Sequence, residues 1–177
     1  MVERDKSLSW IEDEAFFRQM CDRGKKYEAL VAQKLGEHGI TGVQLLDDGF
    51  RKNISEIGKF TASSKDLKIK GWSFEVKSRN VAFTSPEDWP VNFWPMFLDT
   101  VSGFEKKVIK PIGYIFISQQ TGALMGASCR NRESWEIQRR FDRERKIYDN
   151  FYCLQKKDVI DEAALIEKLK AMPEKKQ

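Results

Sequence analysis

DLKIKGWSFEVK, residues 66–77, contains two short strand-like runs on either side of Lys70-Gly71. Glycine tolerates the positive φ of a two-residue turn, so we expect these runs to form an antiparallel β-hairpin. With Lys70 and Gly71 as the loop, Asp66 lies opposite Glu75. Strand alternation gives the hairpin one apolar face and one polar face. The polar face consists of Asp66, Lys68, Ser73, Glu75 and Lys77.

The polar face of the hairpin has the residue types of a metal-dependent hydrolase. Directly opposed residues have Cβ atoms about 4.5–5.5 Å apart, so the carboxylates of Asp66 and Glu75 can reach one divalent cation, Mg²⁺ or Mn²⁺. Lys77 projects from the same face and could orient or deprotonate a water, or neutralise charge on a phosphate. The same alternation is also typical of the solvated face of an edge hairpin, and this alternative stays open at this point.

A helix is expected upstream of the hairpin. Ser9-Trp10-Ile11-Glu12 has the pattern of a capping box, and an apolar stripe at helical spacing then runs through residues 27–35 before Gly36 and Gly39. Glu28 lies on the edge of that stripe, so it borders the buried side of the helix and could supply a third carboxylate.

The remaining segments alternate between the two kinds of secondary structure, which predicts a mixed α/β domain. We expect an ordered, aromatic loop over residues 80–98 and a short helix over 99–108 that begins after Asp99 or Thr100. Charged residues 132–148 favour a second long helix, and the tail 173–177 is expected to be frayed. Strands are predicted at 43–46, 113–118, 123–127 and 151–154, and a final amphipathic helix at 161–172.

Glu28, then Asp66, then Glu75-Val76-Lys77 in this order resembles the PD-(D/E)XK nuclease superfamily, although Lys65 stands where its motif often has proline. The resemblance implies a restriction-endonuclease-like α-β-β-β-α-β core over roughly residues 10–128, within one domain of residues 1–177 that has additional C-terminal helices in an extension over 129–172. It also implies roles for individual residues. Asp66 and Glu75 would be metal ligands, Lys77 the catalytic lysine, Glu28 a further ligand or water-positioning group, and the carbonyl of Val76 a further ligand.

Composition is compatible with this function but does not establish it. The chain has 177 residues and a formal charge of +4, which permits a polyanionic partner. Its three cysteines and one histidine do not form a zinc framework, and a reduced interior fits them best. No apolar run resembles a signal peptide or a membrane span, so we expect a cytoplasmic protein.

Two segments outside the hairpin have open alternatives. Basic residues of the segment 130–146 either belong to a solvated helix with internal salt bridges or hold backbone phosphates, a task for which Lys68 and Arg79 are better placed. The aromatic loop is expected to pack over the core, with base stacking or a homodimer contact as its other roles. The main hypothesis is a metal-dependent nuclease, expected to act as an endonuclease and on DNA before RNA. The alternative is a non-catalytic nucleic-acid-binding or protein-interaction module on the same fold.

Overall fold

The computed structural model describes residues 14–46, 66–142 and 147–176. These residues form an α/β structure in which helices and a mixed sheet alternate along the chain, as the sequence predicts. The helices are α1 (Glu14–Glu37), α2 (Val101–Glu105) and α3 (Glu162–Ala171). The strands are β1 (Val43–Leu45), β2 (Leu67–Ile69), β3 (Trp72–Arg79), β4 (Met96–Thr100), β5 (Gly113–Ser118), β6 (Leu124–Ser128), β7 (Glu136–Asp142), β8 (Ile147–Leu154) and β9 (Val159–Asp161).

Six of these strands form the main sheet in the order β1-β2-β3-β5-β6-β9. The β3–β5 pair is parallel and the other four pairs are antiparallel, so the sheet is mixed. A parallel pair needs a crossover connection, and here residues 80–112 supply it. The sixth strand, β9, comes from beyond residue 128, so the C-terminal part of the chain completes this sheet.

The predicted hairpin of residues 66–77 is present with the predicted register. Ile69 pairs with Trp72. Lys70 has φ 51° and Gly71 has φ 81°, which is the pair of positive values that a two-residue type I′ turn requires. However, β2 and β3 both have a neighbouring strand on each side. The alternative of a solvated edge hairpin is therefore wrong.

Helix α1 ends where its sequence predicts. Gly39 has φ 77°, and the N–H of Ile40 donates to the carbonyl of Leu35 while the N–H of Gly39 donates to that of Gly36. These two bonds form a Schellman motif, which closes the last turn of a helix. The predicted capping box at residues 9–12 lies outside the described residues.

Helices α1 and α3 cover one face of the main sheet. Val31 and Leu35 of α1 are fully buried there, as the apolar stripe predicts. They pack with the apolar face of the hairpin and with α3 into one cluster. The buried members from the hairpin are Leu67, Ile69, Phe74 and Val76.

The opposite face of the main sheet is covered by a second, smaller sheet in the order β4-β8-β7. Its inner side chains, together with Phe104 of α2, form a second apolar cluster against β5 and β6. This cluster is rich in aromatic rings, including Tyr114, Phe116 and Trp135. The polar face of the hairpin is therefore directed into the molecule and not into bulk water.

The prediction of a charged helix over residues 132–148 is wrong for the part of this segment that the structure describes. The segment forms strands β7 and β8, which pair from Glu136–Cys153 to Asp142–Ile147, and α3 is the one α-helix beyond residue 128 in the described residues. Lys, Arg and Glu favour a helix by intrinsic propensity, but strand pairing across the small sheet overrides this preference here. Pairing with β8 also lets Trp135 lie against Tyr152, at a centroid distance of 5.6 Å.

The segment 80–98 is ordered and packs on the core, as expected, but it is not entirely a loop. Phe83 and Trp89 are buried in the second cluster, and Met96–Thr100 forms the strand β4, which pairs with β8. The sequence did not predict this strand because Pro86, Pro90 and Pro95 precede it, and proline is unfavourable in regular strands.

The chain after α3 packs against the hairpin, contrary to the expectation of a frayed tail. The indole N–H of Trp72 donates to the carbonyl of Pro173 at 3.0 Å, and the N–H of Lys175 donates to the carbonyl of Lys70 at 2.9 Å. Among the described helices, none has the length and the apolar character needed to cross a bilayer.

Glu162, the first residue of α3, links this helix to α1 and β6. It also makes a pH-dependent contribution to stability. Its carboxylate accepts from Lys34 Nζ and from the N–H of Leu124, each at 2.8 Å. Burial raises the pKa of Glu162, but these hydrogen bonds and the charge of Lys34 outweigh that effect and lower the pKa from 4.5. Stability from this group is therefore present above about pH 4.5 and is lost as the pH falls through the lowered pKa.

We expect Glu162→Gln to lower the free energy of unfolding by about 1–2 kcal/mol at pH 7, because the charge-assisted bonds are lost. The difference from the wild type should begin to shrink below about pH 4.5 and should disappear as the pH falls through the lowered pKa, where the wild-type carboxyl also becomes neutral. Urea unfolding at pH 7 and at pH 3.5 measures this, with Glu167→Gln on the exposed side of α3 as the control. A difference that stays the same at both pH values would contradict it.

Candidate active site

The polar face of β3 carries the candidate site. Glu75 and Lys77 alternate with Phe74 and Val76, so they point to the face of the main sheet that the small sheet and α2 cover. Glu75 lies beside Tyr114 of β5 in the ladder. The exposed fractions of the side chains are 13% for Glu75 and 24% for Lys77. Two ionisable groups are therefore held largely out of water on an interior strand.

Asp66 reaches β3 through its side chain. It is 7% exposed and precedes β2 directly, and its Oδ2 accepts a hydrogen bond of 2.8 Å from the N–H of Val76. The ladder between β2 and β3 begins at Leu67–Phe74, so the expected Asp66–Glu75 backbone pair is replaced by this side-chain bond. Asp66 is nevertheless close enough to act electrostatically on Lys77. The structure thus brings Asp66, Glu75 and Lys77 together, as predicted.

Two residues that sequence reasoning did not place in the site complete it. Lys107, which follows α2, donates from Nζ to Glu75 Oε2 at 2.8 Å and to Asp99 Oδ2 at 2.7 Å. Asp99, in β4, also accepts from the N–H of Thr100 and from the hydroxyl of Tyr114 at 3.4 Å. Lys77 lies 3.0 Å from Glu75 Oε1 and 3.9 Å from Asp99 Oδ2. Glu75, Asp99, Lys77 and Lys107 form one network, which we call the ionic cluster.

The ionic cluster keeps all four of its groups charged. Burial raises the pKa of Glu75 and of Asp99, but the charges of Lys77 and Lys107 outweigh it, so both pKa values are lowered. Burial lowers the pKa of both lysines, but the nearby carboxylates outweigh it and the pKa values of Lys77 and Lys107 are raised. Each group thus stabilises the ionised form of its neighbours.

The raised pKa of Lys77 limits what this lysine can do. An ammonium group has three donors and no acceptor, so it cannot remove a proton from water while it remains charged. The arrangement therefore favours holding negative charge or orienting a water over general-base catalysis. Of the roles considered for Lys77 from the sequence, charge neutralisation at a phosphate fits this geometry best.

Asp99 is the helix-flanking residue that sequence reasoning left outside the mechanism. The cap of α2 is made by Thr100, whose Oγ1 accepts from the N–H of Gly103 at 3.0 Å. The side chain of Asp99 therefore does not cap α2 and instead accepts a hydrogen bond from Lys107 Nζ. One sequence signal could have indicated this, because a carboxylate inside the apolar run MFLD in a strand must find a partner when it is buried.

The other predicted site residues lie around this centre. Glu28 is buried, 5% exposed, in α1, which covers the face opposite to Glu75. Val76 is buried and engages Asp66 through its N–H. Lys68 is half-buried opposite Ser73 in the hairpin. Arg79 lies over the ring of Phe116 at 5.5 Å and donates to the carbonyl of Phe97, so its guanidinium already has structural contacts.

Carboxylate oxygens are the donors that Mg²⁺ and Mn²⁺ prefer, so Asp66 and Glu75 have the right chemistry for the expected ion. Both oxygens of Glu75, however, accept from lysine ammonium groups. In the parts of the chain that the structure describes, no three His, Cys, Asp or Glu side chains are grouped in a way that could hold one metal ion. The donors fit the ion, and binding requires at least one ammonium group to leave Glu75.

Comparisons with known proteins give no further guidance on this site. No protein-family model, no curated protein and no solved structure matches the chain. The ionic cluster and Asp66, together with their position in the sheet, are therefore the features from which a function can be inferred.

Proposed function

We propose that this protein is a metal-dependent nuclease, with endonucleolytic action expected before exonucleolytic action and DNA before RNA as its substrate. The observation that carries the proposal is the ion pair of Glu75 and Lys77, 3.0 Å apart and largely buried on an interior strand beside Asp66. Burying several charges on one covered face costs free energy, and such arrangements are concentrated at functional sites.

The order of elements supports the same proposal. The chain runs through α1, the three strands β1, β2 and β3, then α2 and β5, with β4 inserted before α2. Apart from the inserted β4, this order is compatible with the α-β-β-β-α-β order that the resemblance implies. Asp66 directly precedes the second strand, and Glu75 and Lys77 lie on the third. The parallel β3–β5 pair is compatible with the mixed sheet of that core.

In the proposed reaction, Asp66 and Glu75 would hold Mg²⁺ or Mn²⁺, with the Val76 carbonyl as a further candidate ligand. Glu28 lies on α1, which covers the opposite face of the sheet, so it is not among the proposed ligands. When bound, the ion lowers the pKa of a water and stabilises charge that develops on the phosphate oxygens. Lys77 remains an ammonium group and stabilises the negatively charged phosphate beside Glu75. Asp99 and Lys107 position Glu75 from the opposite side.

The test is cleavage of single-stranded, duplex, branched and RNA substrates by the wild type. We expect cleavage in Mg²⁺ or Mn²⁺, complete loss in EDTA and recovery when excess metal is added. The panel also shows which nucleic acid is the substrate. Cleavage that persists in EDTA would contradict the metal dependence, and absence of cleavage on every substrate would contradict the enzyme.

A second candidate function is a nucleic-acid-binding module that does not cleave. The observation that favours it is Lys107, whose ammonium group lies within 2.8 Å of Glu75 and 2.7 Å of Asp99 and already neutralises them. This function predicts binding that weakens with salt but is indifferent to EDTA and to Glu75→Gln. Binding with that profile and no cleavage would replace the nuclease proposal.

A further inference from the structure

A cavity of about 350 Å³ opens at the end of the main sheet where β3 and β5 begin. Its volume lies in the range of sites for small molecules and single nucleotides. Most of its wall is apolar and consists of Trp72, Phe104, Pro111, Ile112, Met172 and Pro173. Three basic side chains, Lys110, Arg130 and Arg132, also line it.

The basic side chains outnumber the acidic ones at this cavity. Glu105 pairs with Lys110 at 3.4 Å and with Arg132 at 3.6 Å, and it is not itself part of the lining. Arg130 is exposed and has no ion-pair partner among the residues that the structure describes. The lining thus offers positive charge that is only partly balanced, which is complementary to a phosphate group.

The cavity lies next to the ionic cluster. Cys129 lines it, and the N–H of Cys129 donates to the carbonyl of Ile112, whose own N–H donates to the carbonyl of Ser73. Ser73 is two residues before Glu75 and on the same face of β3. Cys129 is also close enough to Lys107 and Glu75 for their charges to act on its thiol, so the cavity and the ionic cluster are neighbours.

The wall of the cavity is held in place by hydrogen bonds. The indole N–H of Trp72 donates to Pro173, and Lys70 Nζ donates to the carbonyls of Lys170 and Met172, each at 2.8 Å. The segment after α3 is thus fixed to the hairpin that carries the candidate site. A pocket whose wall is already ordered loses little free energy when a ligand binds.

We propose that this cavity binds one nucleotide of the nucleic-acid strand, with the base against the apolar wall and the phosphate at Lys110, Arg130 and Arg132. The proposal rests on the proposed function, because it makes the cavity a subsite beside the scissile phosphate. A nucleotide within a strand combines a flat base with apolar faces and a phosphodiester that carries one negative charge, and the cavity offers a matching surface to each part.

The experiment is a titration of the full ¹⁵N-labelled chain in EDTA, followed by ¹H-¹⁵N NMR. The probe is deoxyadenosine 5′-monophosphate, and deoxyadenosine and inorganic phosphate are titrated separately. We expect saturable shifts of the Trp72 indole N–H and of the Ile112 and Cys129 amides, with weaker binding of either fragment alone. Arg130→Gln should raise the Kd about tenfold, because a charge-assisted contact to the phosphate is lost. Arg139→Gln, an exposed arginine of β7, is the matched control and should leave the Kd unchanged.

Shifts that are spread over the surface, or a Kd that Arg130→Gln does not change, would overturn the proposal. So would a nucleotide that binds no better than phosphate. Because EDTA removes metal, this outcome is independent of cleavage. If the nucleotide binds in the cavity but no substrate is cleaved, the proposed nuclease activity fails while the nucleotide site stands. If a substrate is cleaved but no nucleotide binds in the cavity, the nucleotide site fails while the proposed nuclease activity stands.

Discussion

Glu75→Gln is expected to lower the rate of nucleic-acid cleavage by about 100-fold or more at saturating Mg²⁺, because a neutral amide is a poor ligand for a hard cation. Glutamine has nearly the same shape as glutamate, so the buried space beside Tyr114 stays filled. The initial rate of cleavage of the best substrate from the panel measures the effect. A rate within threefold of the wild type would exclude Glu75 from the chemistry.

Glu75→Gln also disturbs the ionic cluster. A loss of activity must therefore be reproduced by a second variant that leaves the cluster intact. Asp66→Asn meets this need, because the amide oxygen of asparagine can still accept the bond from the N–H of Val76. It removes a charged candidate ligand and should lower cleavage to a similar extent. Circular dichroism must show that both variants are folded. Glu167→Gln, on the surface of α3, should cleave as the wild type does.

The hairpin could be predicted from the sequence because all its determinants are local. Lys70-Gly71 specifies the turn, and the alternation in WSFEVK specifies which face is apolar. The register follows from these two features, and with it the proximity of Asp66 to the strand that carries Glu75 and Lys77. Helix α1 and its Schellman end were predictable for the same reason, since Gly39 and the apolar stripe lie within a few residues of each other.

The rest of the site could not be predicted, because it depends on contacts between distant parts of the chain. Lys107 meets Glu75 across 32 positions of sequence, and nothing near Lys107 distinguishes it from the exposed Lys106. The helix predicted over 132–148 failed for a different reason. Its Lys, Arg and Glu residues favour a helix by intrinsic propensity, and the pairing of β7 with the adjacent β8 overrides that preference.

Lys107→Met is expected to lower the free energy of unfolding by about 3–5 kcal/mol, because it leaves Glu75 and Asp99 buried without the ammonium group that both accept from. Methionine preserves most of the volume of the lysine stem, so the effect is electrostatic. Lys106→Met is the control; its exposed side chain should change stability by less than about 0.5 kcal/mol. Urea unfolding in EDTA measures both. A loss of less than about 1 kcal/mol in Lys107→Met would mean that Lys77 alone is sufficient to balance the two carboxylates.

The same variant separates a structural ion pair from a site built for a divalent cation. Without Lys107, Glu75 Oε2 and Asp99 Oδ2 lose the ammonium group that lies within 2.8 Å of both, and only Lys77, 3.9 Å from Asp99 Oδ2, remains to compete with Mg²⁺ or Mn²⁺ there. Metal at ten times its Kd for Lys107→Met should stabilise this variant by about 1.4 kcal/mol, and the same concentration should stabilise the wild type less, because the wild type binds the ion more weakly. Adding Asp99→Asn should reduce this gain if both carboxylates face the ion. Equal stabilisation of all three proteins by metal would mean that the ion binds elsewhere, and that Lys107 serves only to neutralise the carboxylates.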